Sequence, residues 1–225
     1  MGSKGIPDKN MRKLCGKTLI AHAGDCLSQL KWVDYRLLST DSPLYAEEGL
    51  KHGLQAPFLR PPELSNDTAS AVETIAHALI ETELISGKYF DIIIIAEPTS
   101  PLRRPCDLEE ATSQLVESRA DSVVSVSKLD SKFHPSKILR VTDDNYLEFN
   151  QADGPSVTYR QTLSHYYYRN GACYILTRKC LLELRAIITE NTKAFIIERE
   201  IVNIDELPEL ELAEFLARKE IQKKN

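Results

Sequence analysis

Apolar positions along the chain follow two rhythms. Residues 17–31, KTLIAHAGDCLSQLK, place Leu19, Ile20, Ala23, Cys26, Leu27 and Leu30 at helical spacing. Residues 69–86, ASAVETIAHALIETELIS, repeat that spacing, with Asp67 or Thr68 available as an N-cap. It returns in DLEEATSQLVES (107–118), where Leu108, Ala111 and Leu115 share a face, and in the closing ELPELELAEFLARKEIQ (206–222). Between these lie segments of strand length. DIIIIAEP (91–98) is a continuous β-branched run, the pattern of a strand covered on both faces. VDYRLLST (33–40), ADSVVSVSKL (120–129) and GACYILTR (171–178) also read as strands, and a short helix is expected around YAEEGLKHG (45–53). Strand and helix alternate through the first half, which predicts an α/β fold built on a doubly wound, mostly parallel sheet. Residues 130–168 break the rhythm. They are polar, turn-rich and aromatic, with short strand candidates such as ILRV, and read as an excursion inserted into a single domain spanning 1–225.

Composition narrows the class. A chain of 225 residues, 42% hydrophobic and 27% charged, is long enough to bury a core, and its net charge of -5 gives no basis for a nucleic-acid partner. No apolar run reaches membrane-spanning length, and no signal-peptide pattern precedes the polar start. Cys15, Cys26, Cys106, Cys173 and Cys180 are odd in number, lack metal-type spacing and sit mostly among apolar neighbours, so reduced, largely buried thiols of a cytoplasmic protein are expected.

Ligands in such sheets bind beyond the carboxyl ends of the strands. Those ends carry Ser39-Thr40-Asp41, Glu97 to Pro101 and, near the last strand, Asn203 and Asp205. The opening MGSKGIPDKN has the glycine and cation content of a phosphate loop, yet such loops normally follow a buried strand. A cloning scar, a flexible terminus and a lost first strand all fit it.

GSKGIPDKN, STD, FLRPPELSNDTAS, PTSPLR, ADSVVSV, HPSK, RQ, RNGACY and VNIDELPELELAE occur in this order along nearly the whole chain. Together they resemble the acylneuraminate cytidylyltransferases, the CMP-sialic acid synthetases and relatives acting on legionaminic-type sugars. The resemblance implies a nucleotide-diphospho-sugar transferase-like fold. It implies transfer of CMP from CTP to the anomeric hydroxyl of a nonulosonic acid, with Mg²⁺ or another divalent cation as cofactor. It also implies a homodimer, with part of 130–168 as an arm reaching the partner. Residue by residue, it puts Lys4, Lys9 and Asp205 in catalysis and Ser3, Lys4, Lys9, Asn10, Arg60 and Ser70 on CTP. Glu97, Thr99, Ser100, Lys137, Arg160, Asn170 and Tyr174 fall to the sugar, with Arg160 as the fork for its carboxylate. Asp205 and Asn203 fall to the metal. Arg103 either caps the following helix or pairs with Asp107; His134 reads as a fold or loop residue, and Tyr166 to Tyr168 as packing, a subunit contact or a pocket wall, with no catalytic role.

Four positions depart from the family pattern. The family's opening strand, with its Arg, is absent; Asn203 replaces an Asp, Glu97 replaces a Gln, and Ala71 replaces a Ser. Asn offers a cation a carbonyl oxygen but no charge. A carboxylate at 97 repels a sugar acid unless it is protonated or paired. The opening decapeptide therefore reads as the family's nucleotide loop without its strand, through a late start or a truncation. The alternative function is a catalytically weakened homologue that binds nucleotide or a partner without efficient turnover; a Kdo-type sugar acid is the lesser substrate reading.

Overall fold

The computed structural model describes residues 6–66, 68–150 and 164–222. A short hairpin, β1 (Lys13–Leu14) and β2 (Lys17–Thr18), leads directly into helix α1 (Leu19–Leu27), whose start is set by the Thr18 hydroxyl accepting the Ala21 N–H at 3.0 Å. Ser42 caps α2 (Pro43–Lys51), with Pro43 in the first turn, where its missing N–H is harmless. Helix α3 (Ala71–Ser86) is capped by Ser70 rather than Thr68 and closes at Gly87 in the left-handed conformation. There follow β3 (Ile92–Ile95), α4 (Pro105–Ser118), β4 (Ser122–Lys128), the hairpin β5 (Leu139–Val141) and β6 (Leu147–Phe149), β7 (Tyr167–Thr177), α5 (Arg178–Leu182), β8 (Thr192–Ile196) and α6 (Leu207–Gln222).

The central sheet has the order β3-β7-β4-β8. Strands β4 and β8 pair in parallel, while β7 lies between β3 and β4 and runs against both. Three strands therefore point one way, as the alternation of strand and helix predicts, and one is reversed. Side chains alternate across this sheet. Ile92, Ile94, Val123, Cys173 and Ile175 pack with Cys26, Leu108, Ala111 and Leu115 of α1 and α4. Ile93, Ile95 and Leu176 pack on the opposite face with Ala76 and Leu79 of α3 and Leu181 of α5. Helices thus cover both faces.

The free edge of β3 is the exception. Residues 33–40 do not pair as the predicted strand; they make an isolated parallel bridge, Leu37 to Gln55, and are tied to α1 through Arg36, whose Nε donates to the Leu27 carbonyl at 2.8 Å. Between this segment and β3 lie two cavities. One, of about 370 Å³, is lined by Leu37, Ile75, Leu79, Ile93 and Ile95; the other, of about 290 Å³, by Leu27, Trp32, Val33, Ile92 and Ile94. A strand needs a neighbour for its backbone groups, and among the described residues none stands between 33–39 and β3. The β-branched run consequently stays half-buried along its whole length, short of the 1.5–3 kcal/mol or so that full burial of each Ile would contribute.

Residues 130–150 leave the sheet as expected. Two short turns precede the β5–β6 hairpin, and Leu139, Val141, Tyr146, Leu147 and Phe149 on it are exposed. No helix among the described residues is long and apolar enough to cross a membrane.

Candidate active site

The loop before β1 forms one wall of a cavity of about 630 Å³. It is anchored by Ile6, buried against Leu14, Leu19 and Ile204, and then turns sharply at Asp8, whose φ of 50° is left-handed. The turn closes when the Met11 N–H donates to the Asp8 carbonyl at 2.8 Å, and the Tyr45 hydroxyl holds the Asp8 carboxylate at 3.2 Å. Lys9 and Asn10 are thereby presented to the cavity, opposite Ser39, Thr40 and Asp41 at the end of 33–40 and Arg60 from the following loop. Arg60 is steadied by Ser65 at 3.1 Å and by Asp41 at 3.9 Å. Two lining atoms, Asn10 Oδ1 and Ser39 Oγ, are buried without a hydrogen-bond partner among the described residues. Such a group costs about 1–3 kcal/mol until something satisfies it, so both call for a polar partner in the cavity. Ser70 does not line this cavity; its hydroxyl faces the Glu73 N–H as the α3 cap. Tyr45 is a wall residue that no motif in the sequence signals.

The β3–α4 loop reaches the cavity through Pro98, and here the structure revises several expectations. Arg103 is buried, with Nε donating to the Ala172 carbonyl at 2.5 Å and Nη2 to the Glu97 carbonyl at 2.5 Å. It neither caps α4 nor pairs with Asp107, which binds the Arg104 N–H at 2.7 Å and the Arg199 guanidinium. Strand β7 bulges against β4, so that Val124 faces Tyr174 while Val126 faces Arg169. Asn170, inside the bulge, is 1% exposed. Its Oδ1 accepts from Ser125 Oγ at 2.6 Å and the Ala172 N–H at 3.1 Å, and its Nδ2 donates to Ser127 at 3.0 Å. Three of the amide's four hydrogen-bonding positions are thus used inside the protein, and Asn170 holds the bulge closed. Ser100, fully buried, is likewise no lining residue; its Oγ lies 3.3 Å from both the Asn170 carbonyl and Asn203 Oδ1. Thr99 ties the same loop to 203–205, its carbonyl accepting the Ile204 N–H at 2.8 Å.

Glu97 and Tyr174 do come together, because Tyr174 pairs with Ile95 at the end of β3. Burial pushes the Glu97 carboxyl above its ordinary range, against the pull of Arg103, and burial together with Glu97 pushes the Tyr174 hydroxyl up. Lys137 is exposed on its turn and does not line the cavity. Ser3, Lys4, Asp67 and Arg160 lie outside the described residues.

Segment 203–205 adjoins the site through Lys9 and is held by Glu209 of α6, whose carboxylate accepts the N–H groups of Asp205 and Glu206 at 2.6 and 2.7 Å. Lys9 Nζ donates to Asp205 Oδ1 at 2.7 Å, which joins this segment to the loop before β1. The pair does not fit a resident divalent cation. Asp205 supplies one carboxylate, already carrying an ammonium; Asn203 Oδ1 is engaged by Ser100, and its amide faces Asp205 at 3.5 Å. Among the described residues, no group of three or more His, Cys, Asp or Glu side chains is arranged to hold a metal.

A loop that presents Lys9 and Asn10 to a polar cavity beside an α/β sheet is the arrangement of a small-molecule-binding α/β domain. Comparison with known proteins then settles the family: the cytidylyltransferase profile matches residues 1–223, and the chain belongs to that family. It is 33% identical over 201 residues to an N-acylneuraminate cytidylyltransferase of Streptococcus agalactiae serotype V, covering 88% of this chain and 46% of that one. The chain thus spans about half the length of that relative. It is 30% identical to the CMP-N,N'-diacetyllegionaminic acid synthase of Legionella pneumophila, covering 91% of this chain and 86% of the relative. Among solved structures, a CMP:2-keto-3-deoxy-manno-octonic acid synthetase complexed with CTP superposes with a TM-score of 0.69 at 18% identity, over 97% of this chain and 95% of the other.

Proposed function

We propose that the chain transfers CMP from CTP to the anomeric hydroxyl of a nonulosonic acid, releasing pyrophosphate. The observation that carries this reading is the cavity between Lys9-Asn10 and Ser39 to Asp41, with Arg60 on its rim and two buried polar atoms awaiting a partner. Its volume of about 630 Å³ lies within the usual range for small-molecule sites, about 300–1,000 Å³. The naming of its relatives supports cytidine and a nine-carbon sugar acid as the two substrates.

In this reading Lys9 and Arg60 neutralise triphosphate charge, and the rigid turn at Asp8 fixes where that charge sits. The sugar enters from the Glu97 and Tyr174 side, and its anomeric oxygen attacks the α-phosphorus as the bond to the β-phosphate oxygen breaks. Phosphoryl chemistry of this kind depends on positioning and charge stabilisation more than on covalent help from the protein. Mg²⁺, where required, accompanies the triphosphate, and no step assigned to these residues runs through it. The chain works as a homodimer in the cytoplasm. The exposed apolar hairpin β5–β6 supports the dimer, and five unpaired cysteines support a reducing compartment.

The test is pyrophosphate release with CTP, Mg²⁺ and a panel of N-acetylneuraminic, legionaminic, pseudaminic and Kdo acids, with ATP and UTP as controls. CTP-dependent release with a nine-carbon acid is the expected result. CTP binding without release from any of them would overturn turnover and leave the weakened-homologue reading, which the incomplete metal site favours. A mass measurement by light scattering checks the dimer, and a monomer at micromolar concentration refutes it.

A further inference from the structure

Asn203 stands where a cation ligand is expected, yet its side chain points its chemistry elsewhere. The carbonyl oxygen lies 3.3 Å from Ser100 Oγ, on a fully buried serine. The amide nitrogen lies 3.5 Å from Asp205 Oδ2, whose other oxygen carries the Lys9 ammonium at 2.7 Å. The opposite orientation of the amide would set two oxygens against each other at Asp205, so the hydrogen-bond network selects this one. Gly171 closes the arrangement from behind. A Cβ there would fall 2.8 Å from Ser100 Oγ and 3.3 Å from the Asn203 amide carbon and oxygen.

We propose that Asn203 is a positioning residue and not a cation ligand: it braces the β3–α4 loop, through Ser100, against the Lys9–Asp205 pair. The sugar-side and phosphate-side walls are thereby fixed relative to one another. The inference rests on the proposed transferase reading for its kinetics but not for its metal or stability measurements. A cation approaching Asp205 in the free protein meets an ammonium and an amide N–H, both repulsive, and one carboxylate in place of the several oxygens a hard cation requires.

Mn²⁺ binding, followed by electron paramagnetic resonance, tests this with Asn203→Ala, Ser100→Ala and the double variant. The CTP-free wild type is expected to bind no Mn²⁺ below about 1 mM, the range of weak carboxylate sites. With CTP present, Asn203→Ala is expected to hold Mn²⁺ within about twofold of wild type, since it removes no ligand. Each single variant should raise the sugar KM by about three- to tenfold with the CTP KM little changed, and the double variant should be no worse than the poorer single. Micromolar Mn²⁺ binding by the free wild type that is lost in Asn203→Ala overturns the proposal. So does a tenfold loss of Mn²⁺ from the CTP complex in Asn203→Ala alone. If the wild type releases no pyrophosphate, the transferase reading fails, while the Mn²⁺ titrations still decide the role of Asn203. Denaturant melts of the same four proteins add a second decision: full additivity of the two single variants refutes the brace.

Discussion

Adding one methyl group at Gly171 puts the packing behind the site to a quantitative test. Gly171 sits in the β7 bulge at φ +71°, and its missing side chain is what lets Ser100 and Asn203 approach. In Gly171→Ala two costs combine. Holding an L-residue in the left-handed region costs about 1–2 kcal/mol. The new Cβ would also stand 2.8 Å from Ser100 Oγ, a contact too short to persist. Ser100 is fully buried, with its single hydroxyl proton between two acceptors at 3.3 Å, the Asn170 carbonyl and Asn203 Oδ1; overpacking at such a position costs about 1–3 kcal/mol. The total, about 2–5 kcal/mol, is a large share of the 5–15 kcal/mol or so by which a domain is stable. Gly87 provides the control. It has a similar φ of +65°, but nothing lies within 4 Å of where its Cβ would stand, so Gly87→Ala meets the backbone cost alone. Urea unfolding of both variants and the wild type separates the two components, with the Gly171 variant expected to lose at least about 1 kcal/mol more. Equal losses would refute the close packing of Gly171, Ser100 and Asn203, and with it the claim that this packing sets the sugar-side wall.

Further predictions concern other parts of the molecule. Glu97→Gln should stabilise the chain at neutral pH: burial raises the folded-state carboxyl pKa, so ionised Glu97 weakens folding, by about 1.4 kcal/mol for every tenfold gain in the carboxylate's proton affinity. That gain should be full above the folded pKa and vanish as pH falls below the ordinary value of 4.5, which melts from pH 4 to 8 would show; a gain independent of pH would contradict it. Burial pushes the Cys26 and Cys173 thiols up to about 11, so at pH 8 a thiol reagent should label exposed Cys106 quickly in the native protein and reach Cys26 and Cys173 only after unfolding, as peptide mapping would report. Asp107→Ala should cost about 3 kcal/mol, because it strips the carboxylate from Arg199, whereas Glu220→Ala, which breaks an ion pair to half-exposed Arg104, should cost no more than about 1 kcal/mol. Similar losses from the two, measured by urea unfolding, would show that burial does not separate these ion pairs.

The layers of the fold are legible in the sequence because burial leaves a period. The run at Ile92–Ile95 demands cover on both faces, and the spacing of Leu108, Ala111 and Leu115 demands a sheet to lie on. The reversal of β7 leaves no such trace: GACYILTR has the same apolar content whichever way it runs, and its direction depends on where the chain re-enters after 130–168. Residues 33–40 show the converse failure. Their composition suits a strand, but strand pairing belongs to two segments, and the neighbour that would complete a ladder on the β3 side is absent among the described residues.

The site divides along a different line, one that sequence position does not draw. Polar residues beyond strand ends are natural ligand candidates, and Lys9, Asn10, Ser39 and Arg60 meet that description. Asn170 and Ser100 occupy equally promising positions in the chain, yet the hydrogen bonds they make are to the protein itself. One clue to this is present in the sequence. Ser122, Ser125 and Ser127 sit on a strand that is otherwise apolar and buried, and buried hydroxyls require partners nearby. Asn170 is what two of them find, and the bulge, the left-handed Gly171 and the Ser100–Asn203 contact follow from accommodating it. Burial of a polar side chain thus leaves a place for a polar partner at Asn10 and Ser39, where an atom is unpaired, and little at Asn170, where both lone pairs of the oxygen and one amide N–H are already engaged.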